Sequence, residues 1–147
     1  SNSGKFETGD IGRLISKAVD KCMEEFIATI NLKFTDIIKN GRSILIDFSF
    51  AENSIYNMAS PIGNDELALS DVLEEWFSSN SFNNNYHIQG TTNLKMIFDD
   101  VRIPFKDKNQ NNYSPNKFAL EIFKYLKEIG LNPSKEIKGS TVYLTIN

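Results

Sequence analysis

The chain has 147 residues, 40% of them hydrophobic and 24% charged, with a formal net charge of −3. That length can enclose one real hydrophobic core, and the composition excludes wholesale disorder. The acidic balance lacks the basic footprint of a nucleic-acid binder and the cationic cluster that anionic lipid attracts.

Cys22 is the only cysteine, which excludes an internal disulfide and any paired-cysteine zinc or redox motif. No apolar run approaches the roughly 18 residues that span a bilayer, and direct membrane insertion is not expected. Residues 1–10 read as an edge or linker ahead of a single α+β domain over 11–147. Within that domain, 11–39 forms a long helix and 43–147 a βαββαβ unit.

From Ile11 to Ile38 the apolar residues recur at steps of three and four through Ile15, Val19, Cys22, Phe26, Ile30 and Phe34. This is the pattern of one amphipathic helix. Asp10 is placed to cap its start, and Asn40-Gly41 supplies a left-handed stop. About 28 residues make a rod of roughly 42 Å, which either crosses the body of the domain or joins it to a preceding one. Cys22 falls on the apolar stripe and reads as a small packed side chain.

Ile44, Ile46, Phe48 and Phe50 alternate with Leu45, Asp47 and Ser49, as in a half-buried strand. A loop follows from Glu52 to Gly63. Asn64 then stands where a second helix needs a cap, with Asp65 and Glu66 in its first turn. Leu69, Val72, Leu73 and Trp76 form that helix's inward stripe, with Trp76 as the core anchor, and residues 78–85 make a polar exit.

Tyr86–Gln89 reads as a short strand, and residues 90–93 turn the chain. A longer strand places Leu94, Met96 and Phe98 on one face; Val101, Ile103 and Phe105 then continue in the opposite phase. A β-bulge at Asp99-Asp100 absorbs the extra residue. The competing reading is a tight turn, but Asp-Asp lacks the glycine that two-residue hairpins prefer. After an asparagine-rich loop, Ser114-Pro115 opens a third helix, lined by Phe118, Ala119, Ile122, Phe123, Leu126 and Ile129. Gly130 ends it and Pro133 prevents its restart. Val142, Leu144 and Ile146 mark a last strand. The order predicts a ferredoxin-like, four-stranded antiparallel sheet with two helices on one face and the long first helix added.

No nucleophile elbow, phosphate loop, dinucleotide fingerprint or metal-ligand spacing occurs, and no catalytic, cofactor-binding or metal-binding residue is assigned. An enzyme in this chain would have to use His87, the only histidine, with Asp99 or Asp100. The plain alternative is an exposed strand histidine and a solvated irregularity that discourages edge pairing. An RNA-binding module would need aromatics and cations on the open sheet face. The third strand offers Lys95, Ile97 and Arg102 there, while Phe98 belongs to the apolar set.

Several segments resemble one family. They are Asn40-Gly41-Arg42, the run from Asn64 to Leu67, Glu74-Glu75-Trp76, the run from Met96 to Pro104, Phe118-Ala119 and the run from Lys124 to Lys127. Together they resemble the C-terminal domain of a family of exported bacterial proteins to which no activity is assigned. The resemblance implies a periplasmic or cell-envelope location, a preceding N-terminal domain, and no catalytic residue or cofactor. The lack of a catalytic constellation, the acidic balance and a long helix with an apolar stripe favour a non-enzymatic binding or assembly domain, whose partner is an envelope component or the protein's own N-terminal domain.

Overall fold

The computed structural model describes residues 2–147, with side chains from Ile11 onward. The chain divides into two units, residues 1–37 and 38–147.

The first helix, α1, runs from Asn2 to Asn40. It passes through Asp10 instead of starting there, and the side chain expected to cap it lies outside the described residues. Gly9 and Asp10 are weak helix formers, not barriers, and no proline interrupts the chain before Asn40. The stop falls where the sequence places it: Gly41 takes φ +81°.

In the second unit, β1 (Arg42–Phe50) buries Ile44, Ile46 and Phe48. Two expectations then fail together. Pro61–Ile62 (β2) and Leu67–Ala68 (β3) form a small antiparallel ladder, so the segment from Asn64 is a hairpin turn and not a helix start. Glu66 sits in that turn at φ 53°. The second helix, α2, therefore begins at Leu69, after an Ala68 cap position with no side-chain bond, and ends at Asn80. Its first acidic residue is Asp71. Leu69, Val72 and Leu73 are buried as expected, but the fully buried aromatic is Phe77, and Trp76 is only partly buried.

Strand β4 (Tyr86–Thr91) pairs antiparallel with β5 (Lys95–Ile103). The phase slip in β5 is a bulge. Ile44 opposes Val101 and Ile46 opposes Phe98, so Asp99 and Asp100 together face the single residue between them. Met96, Phe98, Val101 and Ile103 consequently all reach the core. Leu94 and Phe105 do not join them, lying outside the strand and exposed; Pro104, which has no N–H to donate, follows β5 directly.

The third helix, α3 (Pro115–Glu128), starts as read. Ser114 is its cap, and the Ser114 hydroxyl accepts from the Lys117 N–H at 3.3 Å. At its end the Leu131 N–H donates to the Leu126 carbonyl and the Gly130 N–H to that of Lys127, with Gly130 at φ 91°. This is the closing turn that glycine permits. Beyond it Pro133 does more than block the helix. It opens an edge strand, β6 (Pro133–Lys138), which pairs antiparallel with β7 (Thr141–Ile146).

That extra strand changes the architecture. The sheet is five-stranded and mixed, in the order β4-β5-β1-β7-β6, and β7 runs parallel to β1. It is not the four-stranded antiparallel ferredoxin-like sheet expected from six elements. The chain leaving α3 makes a hairpin, so the strand that reaches β1 is the second one, running the other way. A single core joins the buried face of this sheet to α2 and α3.

Three tyrosines at the margins of this core ionise above their ordinary range. Burial is the main cause for each, and carboxylates add to it: Glu121 beside Tyr113, Glu74 beside Tyr86, and Glu75 and Glu128 near Tyr125. A group with a raised folded pKa contributes stability that is complete below its unfolded pKa and is lost as pH rises beyond it. The urea midpoint is therefore expected to fall above about pH 10. Tyr113→Phe should flatten that fall, and a midpoint that declines equally in both proteins would remove the tyrosine account.

Candidate functional site

The residues considered for acid–base chemistry do meet. Register places His87 of β4 opposite Asp100 of β5. The bulge turns both aspartates away from the core, and each acquires its own partner. His87 Nδ1 lies 2.5 Å from Asp99 Oδ1. Asp100 Oδ1 accepts from the Ser43 hydroxyl at 2.7 Å and from Arg102 Nε at 3.0 Å. Arg102 Nη1 also donates to the Gly41 carbonyl at 3.1 Å, which ties the cluster to the start of β1.

A shallow cleft of about 230 Å³ opens here, lined by Asn40, Asn85, Tyr86, His87, Asp100 and Arg102. Sequence reading named His87 and the two aspartates but missed Ser43, Asn85 and Tyr86. Ser43 enters through the β1–β5 register, a non-local pairing that no local pattern announces.

The chemistry of this arrangement is limited. His87 and Asp99 form an oriented imidazole–carboxylate pair, but it is open to water. The nearby hydroxyl, Ser43, donates to Asp100 and not to the imidazole, so base and nucleophile are not connected. Among the described residues no group of histidine, cysteine and carboxylate side chains could hold a metal ion. The cations weighed for RNA each face a carboxylate: Lys95 Nζ lies 3.2 Å from Asp47 Oδ2, and Arg102 binds Asp100.

The second feature is α1 itself. Its large apolar side chains from Ile11 to Phe34 are 47–73% exposed, and Cys22, expected to be packed, is exposed as well. The stripe is what the sequence predicts, and its described side chains are exposed. No helix among the described residues is long and apolar enough to cross a membrane.

Fold and surface thus define a small α+β domain with a mixed five-stranded sheet, a polar cleft at a bulge and a long amphipathic helix. Residues 42–147 match the family described as Domain of unknown function (DUF6175), and the chain belongs to that family. No curated protein and no solved structure matches it.

Proposed function

We propose that this chain is a non-enzymatic assembly domain of an exported envelope protein, with α1 as its contact surface. The observation that carries the reading is the apolar stripe of α1, exposed over several turns. Water-facing apolar surface on this scale is costly, and contiguous patches of this kind mark interaction sites. The export and envelope assignment rests on the family resemblance noted above.

The test is cross-linking of the full-length protein in place, comparing wild type with a Phe26→Glu, Ile30→Glu variant. The expected result is a cross-linked species that the variant loses while the melting of residues 38–147 is unchanged. Identical cross-linking in both would sink the assembly reading.

A second reading is favoured by the His87–Asp99 pair beside the cleft: an acid–base enzyme acting on a small polar substrate. Replacing His87, Asp99 and Asp100 together with alanine separates the two. Under the assembly reading, the cross-linked species survives that replacement.

A further inference from the structure

We infer that the groove between the β2–β3 hairpin, α2 and the end of α3 binds a cationic peptide segment of another protein, one that sets an apolar side chain beside lysine or arginine. The groove lies within residues 38–147, and the inference goes beyond the assembly reading without depending on α1.

Charge along the chain is unevenly divided. No lysine or arginine occurs between Arg42 and Lys95, whereas seven carboxylates do. That stretch carries −7 in a chain whose net charge is −3. Five of the seven, Asp65, Glu66, Asp71, Glu74 and Glu75, fall on the hairpin turn and on α2, and all five are exposed. Among the described residues no lysine or arginine pairs with any of them. A field of one sign that the chain does not neutralise attracts a partner of the other sign.

Charge alone provides no place to bind; the groove does. Ile62 and Val72, both buried, line it together with the half-buried Leu67, Tyr125 and Ile129, around about 140 Å³. Tyr125 stacks on Trp76 at 6.0 Å, which holds that wall in place. Asp65 and Glu75 line the same hollow. Leu67 and Glu75 also line a second one, of about 330 Å³, with Asp71, Glu74 and Ser78. The two hollows therefore adjoin, the first mainly apolar and the second acidic. On α3, Glu128 and Lys124 add one charge of each sign about Tyr125 and leave the balance unchanged.

This pairing selects its ligand. An apolar hollow of ~150 Å³ takes up a group the size of benzene, whereas drug-sized ligands and cofactors need ~300–1,000 Å³. The first hollow thus suits one side chain. A metal ion or a small amine would gain nothing from Ile62, Val72 and Ile129, and an acidic chain would be repelled by the carboxylates. A segment with an apolar residue next to lysine or arginine uses both hollows. Its apolar side chain enters beside Tyr125, and its cations reach Asp71, Glu74 and Glu75. A cation over the Tyr125 ring adds cation–π attraction.

The experiment is fluorescence anisotropy at low salt, with the full chain and the labelled hexapeptide Lys-Leu-Lys-Lys-Leu-Lys. Saturable binding is expected, weakening as salt rises. Glu75→Lys, an exposed position shared by both hollows, should weaken it by ~10-fold or more, because a like charge then meets the peptide. Tyr125→Leu should weaken it by ~3-fold or more through the lost ring contact, with melting measured alongside. Glu136→Lys makes the same change of charge on β6 and should leave binding as it is. The Phe26→Glu, Ile30→Glu variant should also bind like wild type, so this result and that of the assembly reading are separate. Absence of saturable binding overturns the inference, as does equal binding by Glu75→Lys. Equal binding of Glu-Leu-Glu-Glu-Leu-Glu would reduce the effect to apolar adhesion, and equal binding of hexalysine to a diffuse acidic field; either overturns the groove. Loss of binding in the Phe26→Glu, Ile30→Glu variant would move the peptide to α1. Self-association that Glu75→Lys abolishes would give the groove to a second copy and overturn the peptide.

Discussion

Phe77→Ala is expected to lower the unfolding free energy by about 3–5 kcal/mol, the range for deleting a buried aromatic. Phe77 has no exposed surface. Its ring stacks on Phe98 at 4.0 Å and meets Phe48 edge-on at 6.0 Å, with Phe118 at 5.9 Å. One side chain on α2 thus touches β1, β5 and α3, and no neighbour can close the hole without moving another ring. Each such aromatic pair adds ~0.5–1.5 kcal/mol beyond area burial, which pushes the value toward the upper end. Against a total stability of ~5–15 kcal/mol, the loss threatens folding at ordinary temperature.

Trp76→Ala provides the comparison. Trp76 is only partly buried, stacked on Tyr125 at 6.0 Å and edge-on to Phe118 at 5.4 Å. Truncation there leaves a dent open to water instead of a sealed cavity. The expected loss is ~1–2.5 kcal/mol, the transfer contribution without the cavity contribution. Because Trp76 is the sole tryptophan, both variants should be followed by circular dichroism in urea and not by fluorescence. A Trp76 loss equal to the Phe77 loss would return the centre of the core to Trp76.

The helical stripe on α2 explains why sequence reading chose the wrong aromatic. Residues 69, 72, 73, 76 and 77 all lie within one apolar face, and the larger side chain is the natural choice. Which of two neighbours points inward depends on how the helix is rolled against the sheet, a tertiary fact. Elsewhere the local pattern sufficed. Alternation in β1 and β7 fixed their buried faces, and the slip between Phe98 and Val101 announced the bulge. Ser114-Pro115 and Gly130 marked the ends of α3 by capping chemistry.

What stayed hidden had no local signal of its own. β6 carries one apolar residue, Ile137, among Lys135, Glu136 and Lys138, because an edge strand beside water needs few. The two-residue ladder of β2 and β3 is too short to alternate. The Asn64-Asp65-Glu66 run was misread because turns and helix caps favour the same polar residues. The site divided in the same way. His87 and the aspartates were visible as residue types, and Arg102 reaches Asp100 from two residues along the same strand, but Ser43 joined Asp100 only through strand register.

Gly41→Ala is the other substitution expected to cost most, ~3 kcal/mol or more, from a left-handed backbone and a clash combined. Gly41 sits at φ +81°, and a Cβ added there would lie 2.4 Å from the Ile103 carbonyl oxygen and 2.8 Å from Phe82 Cδ1. The phenylalanine ring can shift, but the carbonyl cannot move alone: Arg42 pairs with Ile103 in the β1–β5 ladder. Gly130 supplies the contrast, since its φ is +91° but nothing lies within 4 Å of an added Cβ. Gly130→Ala should therefore lose only the conformational part, ~1–2 kcal/mol. Asparagine separates the two causes, because it tolerates positive φ but still carries a Cβ. Gly130→Asn should recover most of the stability that Gly130→Ala loses, while Gly41→Asn should be as damaging as Gly41→Ala. Urea unfolding of the four variants decides it, and recovery at Gly41 by asparagine would show that conformation, not contact, holds glycine there. The contact matters beyond stability. The Gly41 carbonyl accepts from Arg102, and Arg102 holds Asp100 beside Ser43, so displacing this turn should disturb the cleft as well as the sheet.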